Sequence, residues 1–484
     1  MKFSNSYINL GSDFFQAELP EKVSKPKLLL FNKALAKQLD MTAQLTTDDE
    51  LLADFFTGNQ ILPGAQPIAL AYAGHQFGGF NPQLGDGRAV LLGEVIDANG
   101  QRQDIQLKGS GRTPFSRQGD GKCAIGPALR EYIMSEAMQA LGVPTSRCLA
   151  VAATGDTVYR ETIKPGAVVT RVAESHIRVG TFQYFAARGN TQALKQLTQY
   201  AIARHFPEIT IDVENRPLEF LKAVIAKQIK LIVSWMRVGF IHGVMNTDNN
   251  SISGETIDFG PCAMMGTYHP GTVFSSIDTQ GRYAFANQPH IAQWNMARLA
   301  ECLLPLIDED SDKALALVEP IIIKFSADFD NAYFTMLANK LGFTDLDLIG
   351  KESIEQLLSL MQDLELDHTI TFANLTLSLT SPDHAEQLKA HLGNWYESWR
   401  LALNQNNISD AQAQKLMAQN NPVVIPRNHH VEAILAHCEA TLDMSLANEF
   451  LQVLRAPYQV LANTQKYQDA SADNDQGYRT FCGT

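Results

Sequence analysis

His242-Gly-Val-Met-Asn-Thr-Asp-Asn249 and, nine residues further on, Asp258-Phe-Gly260 bring an amide and two carboxylates into one short stretch of chain. The side-chain oxygens of Asn249 and Asp258 are hard donors of the kind that hold Mg²⁺, which takes few protein ligands and leaves the rest to phosphates and water. Asp248, beside Asn249, is a carboxylate able to accept the proton of an attacking hydroxyl. Val244, two places after the His, can accept none. Upstream, Arg88, Lys108, Lys122, Arg171 and Arg178 gather around three glycine turns, Gly85-Asp-Gly-Arg88, Lys108-Gly-Ser-Gly-Arg112 and Gly119-Asp-Gly-Lys122. Such turns present backbone N–H groups to phosphate oxygens, and the cations neutralise them. The chemistry is that of a nucleoside polyphosphate with a divalent metal. No G-x-x-x-x-G-K-[ST] run is present, so the site is not a P-loop.

The elements that must position these groups change character once along the chain. Residues 88–95, 104–108, 148–152 and 167–171 read as strands, separated by turns such as Asp97-Ala-Asn-Gly100. Between them, 124–141 reads as a helix with Ile125, Leu129, Tyr132, Glu136 and Ala140 on one face, stopped by Gly142 and Pro144. From residue 190 onward the pattern is mostly helical, with amphipathic segments near 217–238, 313–342, 353–366 and 385–404. The acidic run 308–312 reads as a solvated linker between helices, and 469–484 as a loosely ordered tail. The expected organisation is one bilobal unit: an N-terminal extension and β-rich lobe over 1–175, a helical lobe over 176–468 and a mobile tail over 469–484.

Composition limits the function classes. The 484 residues are 45% hydrophobic, enough for a large core, and the net charge of −13 argues against nonspecific nucleic-acid binding. Locally placed Lys and Arg must therefore hold any anionic ligand. The N-terminus lacks an apolar leader and no stretch matches a membrane span, so a cytoplasmic protein without membrane attachment is expected. Six cysteines without C-x-x-C spacing read as reduced thiols without structural zinc. His429 and His430, adjacent and not helically spaced, read as surface or packing residues.

A β-rich lobe with one long helix, then a helical lobe carrying H-x-x-x-x-x-x-N and D-F-G, is the order of an α+β, protein-kinase-like bilobal fold. In a kinase loop H-R-D-x-x-x-x-N the Asp is the base, and the Asn shares Mg²⁺ with the D-F-G Asp. Here the metal pair survives as Asn249 and Asp258, while Val244 fills the base position. Such folds pair a strand Lys with a helix Glu. Lys108 ends a strand, and Glu131 and Glu136 both lie on the helix, with the helical face alone slightly favouring Glu136.

Tyr72-Ala-Gly-His-Gln-Phe-Gly78, Gly85-Asp-Gly-Arg88, Leu107-Lys-Gly-Ser-Gly-x-Thr-Pro-Phe-Ser-Arg117, Tyr159-Arg-Glu-Thr162, Arg171-Val-Ala-x-Ser-His-x-Arg178 and the 242–249 loop together resemble the selenoprotein O (SelO/YdiU) family. The resemblance implies a pseudokinase that transfers AMP from ATP to Ser, Thr or Tyr hydroxyls of proteins and releases pyrophosphate. It implies an ATP bound end for end relative to kinases, with Arg171 and Arg178 on the γ-phosphate and Lys108, paired with Glu131, on the phosphates. Gly85, Gly87, Arg88, Asp120, Gly121 and Asp258 would be further nucleotide contacts. Asn249 and Asp258 would bind Mg²⁺ (or Mn²⁺), and Asp248 would accept the proton.

Two departures from the family pattern stand out. Lys122 replaces the usual Arg, keeping charge but losing the bidentate fork. Some members pair a C-terminal cysteine or selenocysteine, here Cys482, with a cysteine in the loop after D-F-G. The matching loop, Gly271-Thr-Val-Phe-Ser-Ser276, has none, and Cys262 is the nearest thiol in sequence. Besides the adenylyltransferase, a kinase-like phosphotransferase and an inactive nucleotide-binding scaffold remain as function classes. Val244 weighs against the former; Asp248, Asn249 and Asp258 weigh against the latter.

Overall fold

The computed structural model describes residues 2–41, 47–473 and 475–481. Strands β1 (Phe15–Ala17), β2 (Lys27–Phe31), β3 (Ile68–Leu70), β6 (Ala89–Ile96), β7 (Arg102–Lys108), β8 (Cys123–Ala124), β9 (Arg147–Tyr159) and β10 (Ile163–Ala173) form an eight-stranded sheet in the order β1-β3-β6-β7-β10-β9-β2, with β8 on β10. A hairpin of β4 (Gly74–Gln76) and β5 (Gly79–Asn81) stands apart from it. All pairings in the sheet are antiparallel.

Successive residues of a strand point to opposite faces, and here both faces are covered. Leu92, Ile105, Leu107, Leu149 and Val168 face a core built on helices α1 (Lys33–Gln38) and α2 (Asp49–Thr57). Leu91, Val151 and Val169 face the main core with α3 (Ile125–Ala140). Double burial gives β6 its near-continuous apolar run; β7 instead alternates, with Ile105 and Leu107 on the first core and Asp104, Gln106 and Lys108 on the opposite face. Val169 opposes Lys108 in the β10–β7 register. Arg171, two residues along β10, therefore shares the Lys108 face, which looks onto α3.

The helical half begins with α4 (Val179–Ala186), α5 (Thr191–His205) and α6 (Arg216–Val238). Asn215 caps α6 through its side chain, and Gly239, at φ 75°, ends it. The chain then enters β11 (Phe240–Ile241), which pairs with β12 (Ala263–Met264) through Phe240↔Met264 and Ile241↔Ala263. Closing this pair gathers residues 242–262 into one loop system, and Asn249 and Asp258 come to line the same cavity. Below lie α7 (Gln288–Ile307) and α8 (Ser311–Lys340). Asp310 in the acidic run 308–312 caps α8, its carboxylate accepting from the backbone of Asp312 and Lys313.

The segment expected as one helix over 385–404 is two helices, Pro382–Leu392 and Asn394–Gln405. Gly393 sits between them at φ 52°, ψ −128°, a conformation essentially restricted to glycine. Further on, helices Asn428–Thr441 and Ser445–Leu454 pack back against α3, where Arg130 pairs with Glu432. The chain is thus mixed α+β, sheet-rich in its N-terminal part and helical in its C-terminal part. No helix among the described residues is long and apolar enough to cross a membrane.

Candidate active site

Lys108, at the end of β7, and Arg171, on neighbouring β10, reach under α3 to the same two carboxylates. Lys108 Nζ lies 2.8 Å from Glu131 Oε2 and 2.6 Å from Asp258 Oδ1. Arg171 Nη2 donates to Asp258 Oδ1 at 2.8 Å, and its Nε donates to Glu131. Burial alone would raise the pKa of Glu131, but Arg171 and Lys108 outweigh it and hold the carboxyl below its usual range. For Asp258 the same balance of burial against Lys108, Arg171 and Arg88 leaves it well below. Both residues are anionic, and this quartet ties the sheet to the D-F-G loop. Glu136 lies elsewhere: its carboxylate takes a fork from Arg147 at 2.6 and 2.7 Å and a bond from Asn32 at 2.7 Å.

The 242–249 loop is built around His242, whose Nε2 lies 2.9 Å from the Ile257 carbonyl and whose Nδ1 accepts from the Val244 N–H. Burial lowers its pKa, so the ring is neutral and structural. Asn249 donates its amide to the Val244 carbonyl at 3.1 Å, leaving its carbonyl oxygen as the donor available to a cation. Among the described residues both bonds to Asp258 fall on Oδ1, so Oδ2 is the oxygen open to a metal. The pair fits a hard divalent ion, Asn249 and Asp258 each contributing one oxygen.

Asp248 is held by the β4–β5 hairpin. Gln76 Nε2 donates to its Oδ2 at 3.1 Å, while the hairpin backbone donates from His75 to Thr247 Oγ1 (2.7 Å) and from Phe77 to Asn246 (3.1 Å). A Cβ at Gly74 would stand 3.0 Å from Asp248 Oδ1, so this close approach favours glycine. Oδ1 itself has no hydrogen-bond partner among the described residues. Burial pushes the Asp248 carboxyl up to about 6, against the lowering effects of the Gln76 bond and Arg178. A basic oxygen without a partner suits proton acceptance.

Arg178, the residue before α4, is 5% exposed and lies over the Tyr72 ring at 4.2 Å. Its nearest carboxylate among the described residues, Asp86, is 3.6 Å away, and its Nε has no hydrogen-bond partner among them. A buried guanidinium so poorly satisfied is a ready anion site. Asp120 is clasped by Arg160, which donates at 2.8 and 3.1 Å to the carboxylate and at 2.8 Å to the Lys122 carbonyl. Gly121 packs under this clasp at φ 70°, where a Cβ would fall 2.0 Å from the Gly111 carbonyl oxygen.

Lys108, Asp120, Gly121, Arg171, Arg178, Asp248, Asn249 and Asp258 line one cavity of about 870 Å³, together with Gly85, Gly87, Arg88 and Val244. Gln76, Asp86 and Arg160 also line it, although sequence reasoning assigned them no role. All three stood in the stretches that carry the family resemblance; the signal was there without a geometry to interpret it. Cys482 lies outside the described residues. Cys262 is fully buried, its thiol pushed up to about 12 mainly by burial, and Phe274 in the following loop is buried too.

An α+β chain whose sheet cations and loop carboxylates share one cavity is built as a nucleotide-handling enzyme. The family model described as protein adenylyltransferase SelO matches residues 1–455. The chain is 52% identical over 485 residues to the protein nucleotidyltransferase YdiU of Teredinibacter turnerae, covering all of both chains. It is 51% identical over 488 residues to that of Rhizobium rhizogenes, covering 100% of this chain and 97% of the other. With Geobacillus kaustophilus YdiU the identity is 50% over 487 residues, covering 100% and 99%. The chain belongs to the SelO family of protein adenylyltransferases, and it is a nucleotidyltransferase.

Proposed function

We propose that the chain is a kinase-like bilobal enzyme that moves AMP from ATP to Ser, Thr or Tyr hydroxyls of proteins and releases pyrophosphate. One observation carries the reading: the kinase base position is the buried Val244, whereas Asp248, with its unpartnered oxygen, shares a cavity wall with Asn249 and Asp258. In this reading Arg178 and Arg171 take the terminal phosphate, and Lys108, steered by Glu131, takes another. Gly85, Gly87, Arg88, Asp120 and Gly121 line the path of the nucleotide, with Arg160 keeping Asp120 in place.

The acceptor hydroxyl attacks the α-phosphorus in line, the bond to the β-phosphate oxygen breaks, and Asp248 takes the hydroxyl proton. The arginines and Lys108 neutralise charge on the departing pyrophosphate, where preorganised electrostatics contribute most. Asn249 and Asp258 would hold Mg²⁺ or Mn²⁺, which supplies Lewis-acid stabilisation of phosphate oxygens. The reading is tested by the leaving group: incubation of the chain and added acceptor proteins with ATP and Mg²⁺ should release pyrophosphate in step with protein modification. Release of ADP instead would make the enzyme a phosphotransferase.

A further inference from the structure

Helix Asn428–Thr441 carries His429 and His430 in its first turn, and the chain returns past this turn at residue 469. His430 Nε2 lies 2.7 Å from Asp469 Oδ1, and His429 Nε2 lies 3.4 Å from Oδ2 of the same carboxylate. One ligand atom from each residue falls within 4.8 Å of the others. Neighbouring positions on a helix diverge by about 100°, so adjacency in sequence gives no hint of a shared ligand. Here the two rings nevertheless lie 4.1 Å apart, centroid to centroid, and converge on one carboxylate. Tyr467 packs edge-on against His430 at 5.1 Å, restraining its orientation.

His429 Nε2 is the informative atom. It is withdrawn from solvent, yet makes no hydrogen bond among the described residues, its approach to Asp469 being too long for a good one. A buried polar atom in that state calls for a partner.

We propose that His429, His430 and Asp469 form a binding site for one divalent transition-metal ion of the Zn²⁺ type. Two imidazole nitrogens and a carboxylate oxygen are a donor set for such ions, with a fourth position left to water. The same set suits Mg²⁺ poorly, since that ion takes oxygen ligands in near-octahedral geometry. The site would thus be chemically separate from Asn249 and Asp258. Metal–nitrogen bonds of about 2.0–2.1 Å require the ligands to draw together, and Asp469, with 61% of its side chain exposed, is free to move inward.

The position matters because the chain continues from Asp469 to Thr480. Thr480 donates from its backbone to the Phe274 carbonyl (2.8 Å) and from Oγ1 to that of Pro261 (2.6 Å), directly after Asp258-Phe-Gly260. An ion at His429, His430 and Asp469 would anchor one end of a segment whose other end lies against the loop behind the nucleotide cavity.

The test is titration of the nucleotide-free, full-length protein with Zn²⁺ against a chromophoric chelator, under a non-thiol reductant, with and without millimolar Mg²⁺. It is run in wild type and in Cys482→Ser, which removes that thiol as a competitor. The expected result is one Zn²⁺ per chain in both, undisturbed by Mg²⁺. In His429→Gln/His430→Gln and in Asp469→Asn affinity should fall on the order of a hundredfold, at or beyond the upper end of what outer-shell changes cost. Co²⁺ substitution should give a spectrum of nitrogen and oxygen ligation without thiolate charge transfer. Far-ultraviolet dichroism and urea midpoints identify any variant that fails to fold, in which case the single variant His429→Gln replaces it. Unchanged Zn²⁺ affinity in the folded variants, displacement of the ion by Mg²⁺, or no stoichiometric binding at all would overturn the proposal.

Discussion

At the scale of single residues, the site separates groups that hold one another from groups that await a ligand. Arg171 is bonded to Glu131 and Asp258, so Arg171→Ala would leave these two carboxylates with Lys108 as their shared cation and cost roughly 3–5 kcal/mol of stability, the worth of one uncompensated buried charge, besides any effect on binding. Arg178, which lies over the Tyr72 ring and approaches Asp86 at 3.6 Å, forms no close ion pair among the described residues, which makes it the cleaner probe. Arg178→Ala should weaken ATP binding by about 1.5–3 kcal/mol, the worth of one charged hydrogen bond, and leave AMP binding nearly unchanged, as isothermal titration of both nucleotides would register. Equal losses would move Arg178 away from the terminal phosphate. Asp258→Asn keeps the shape but removes the anionic ligand. Its turnover should drop by about a thousandfold, corresponding to several kcal/mol of lost metal-assisted stabilisation. Wild-type turnover in that variant, measured with saturating Mg²⁺, would remove Asp258 from the site.

At the scale of elements, the glycine turns work by letting backbones touch. Gly121→Ala would drive a Cβ to 2.0 Å from the Gly111 carbonyl in a left-handed backbone, a strain of roughly 1–3 kcal/mol. The loop must open, and KM for ATP should rise by about fivefold or more, fivefold being the equivalent of about 1 kcal/mol. Gly100→Ala is the control: it sits at φ 77° with nothing within 4 Å of its Cβ, and KM should not change. The elements themselves were largely legible, because short β-like runs are punctuated by glycine turns and α3 ends at an evident Gly142 stop. The choice between Glu131 and Glu136 was not legible. Both residues are buried, as is most of the α3 surface, so no exposed side defines which face matters. The break at Gly393 was hidden by matching apolar spacing on both sides of it. Contacts such as Gln76 to Asp248 and Arg160 to Asp120 join distant segments, and local pattern carries no record of them.

At the scale of the whole molecule, buried ion pairs join the sheet to the helical half. Besides the Lys108, Arg171, Glu131 and Asp258 quartet, Asp104 on β7 accepts from Arg204 on α5 at 2.6 Å and from the backbone N–H of His176 at 2.9 Å, with the His176 ring at 3.0 Å; Arg204 also meets Glu94 at 3.3 Å. Burial would raise the Asp104 pKa, but Arg204 and His176 outweigh it and bring the carboxyl down to about 2. A depressed folded-state pKa means stability that is present above the unfolded value near 4 and lost as pH falls toward 2. The gap in urea stability between wild type and Asp104→Asn should therefore narrow by on the order of 2 kcal/mol across that window, and a pH-independent gap would contradict the assignment. The central claim, that one cavity with Val244 in place of a base and Asp248 beside the metal pair transfers AMP, is tested most directly by which phosphorus moves. With ATP labelled at the α- or the γ-phosphorus, in the presence of Mg²⁺ and protein acceptors, protein-bound label should come from α only, and about a thousandfold more slowly in Asp258→Asn. Label from γ would make the enzyme a kinase, and label from neither in wild type would leave a nucleotide-binding scaffold.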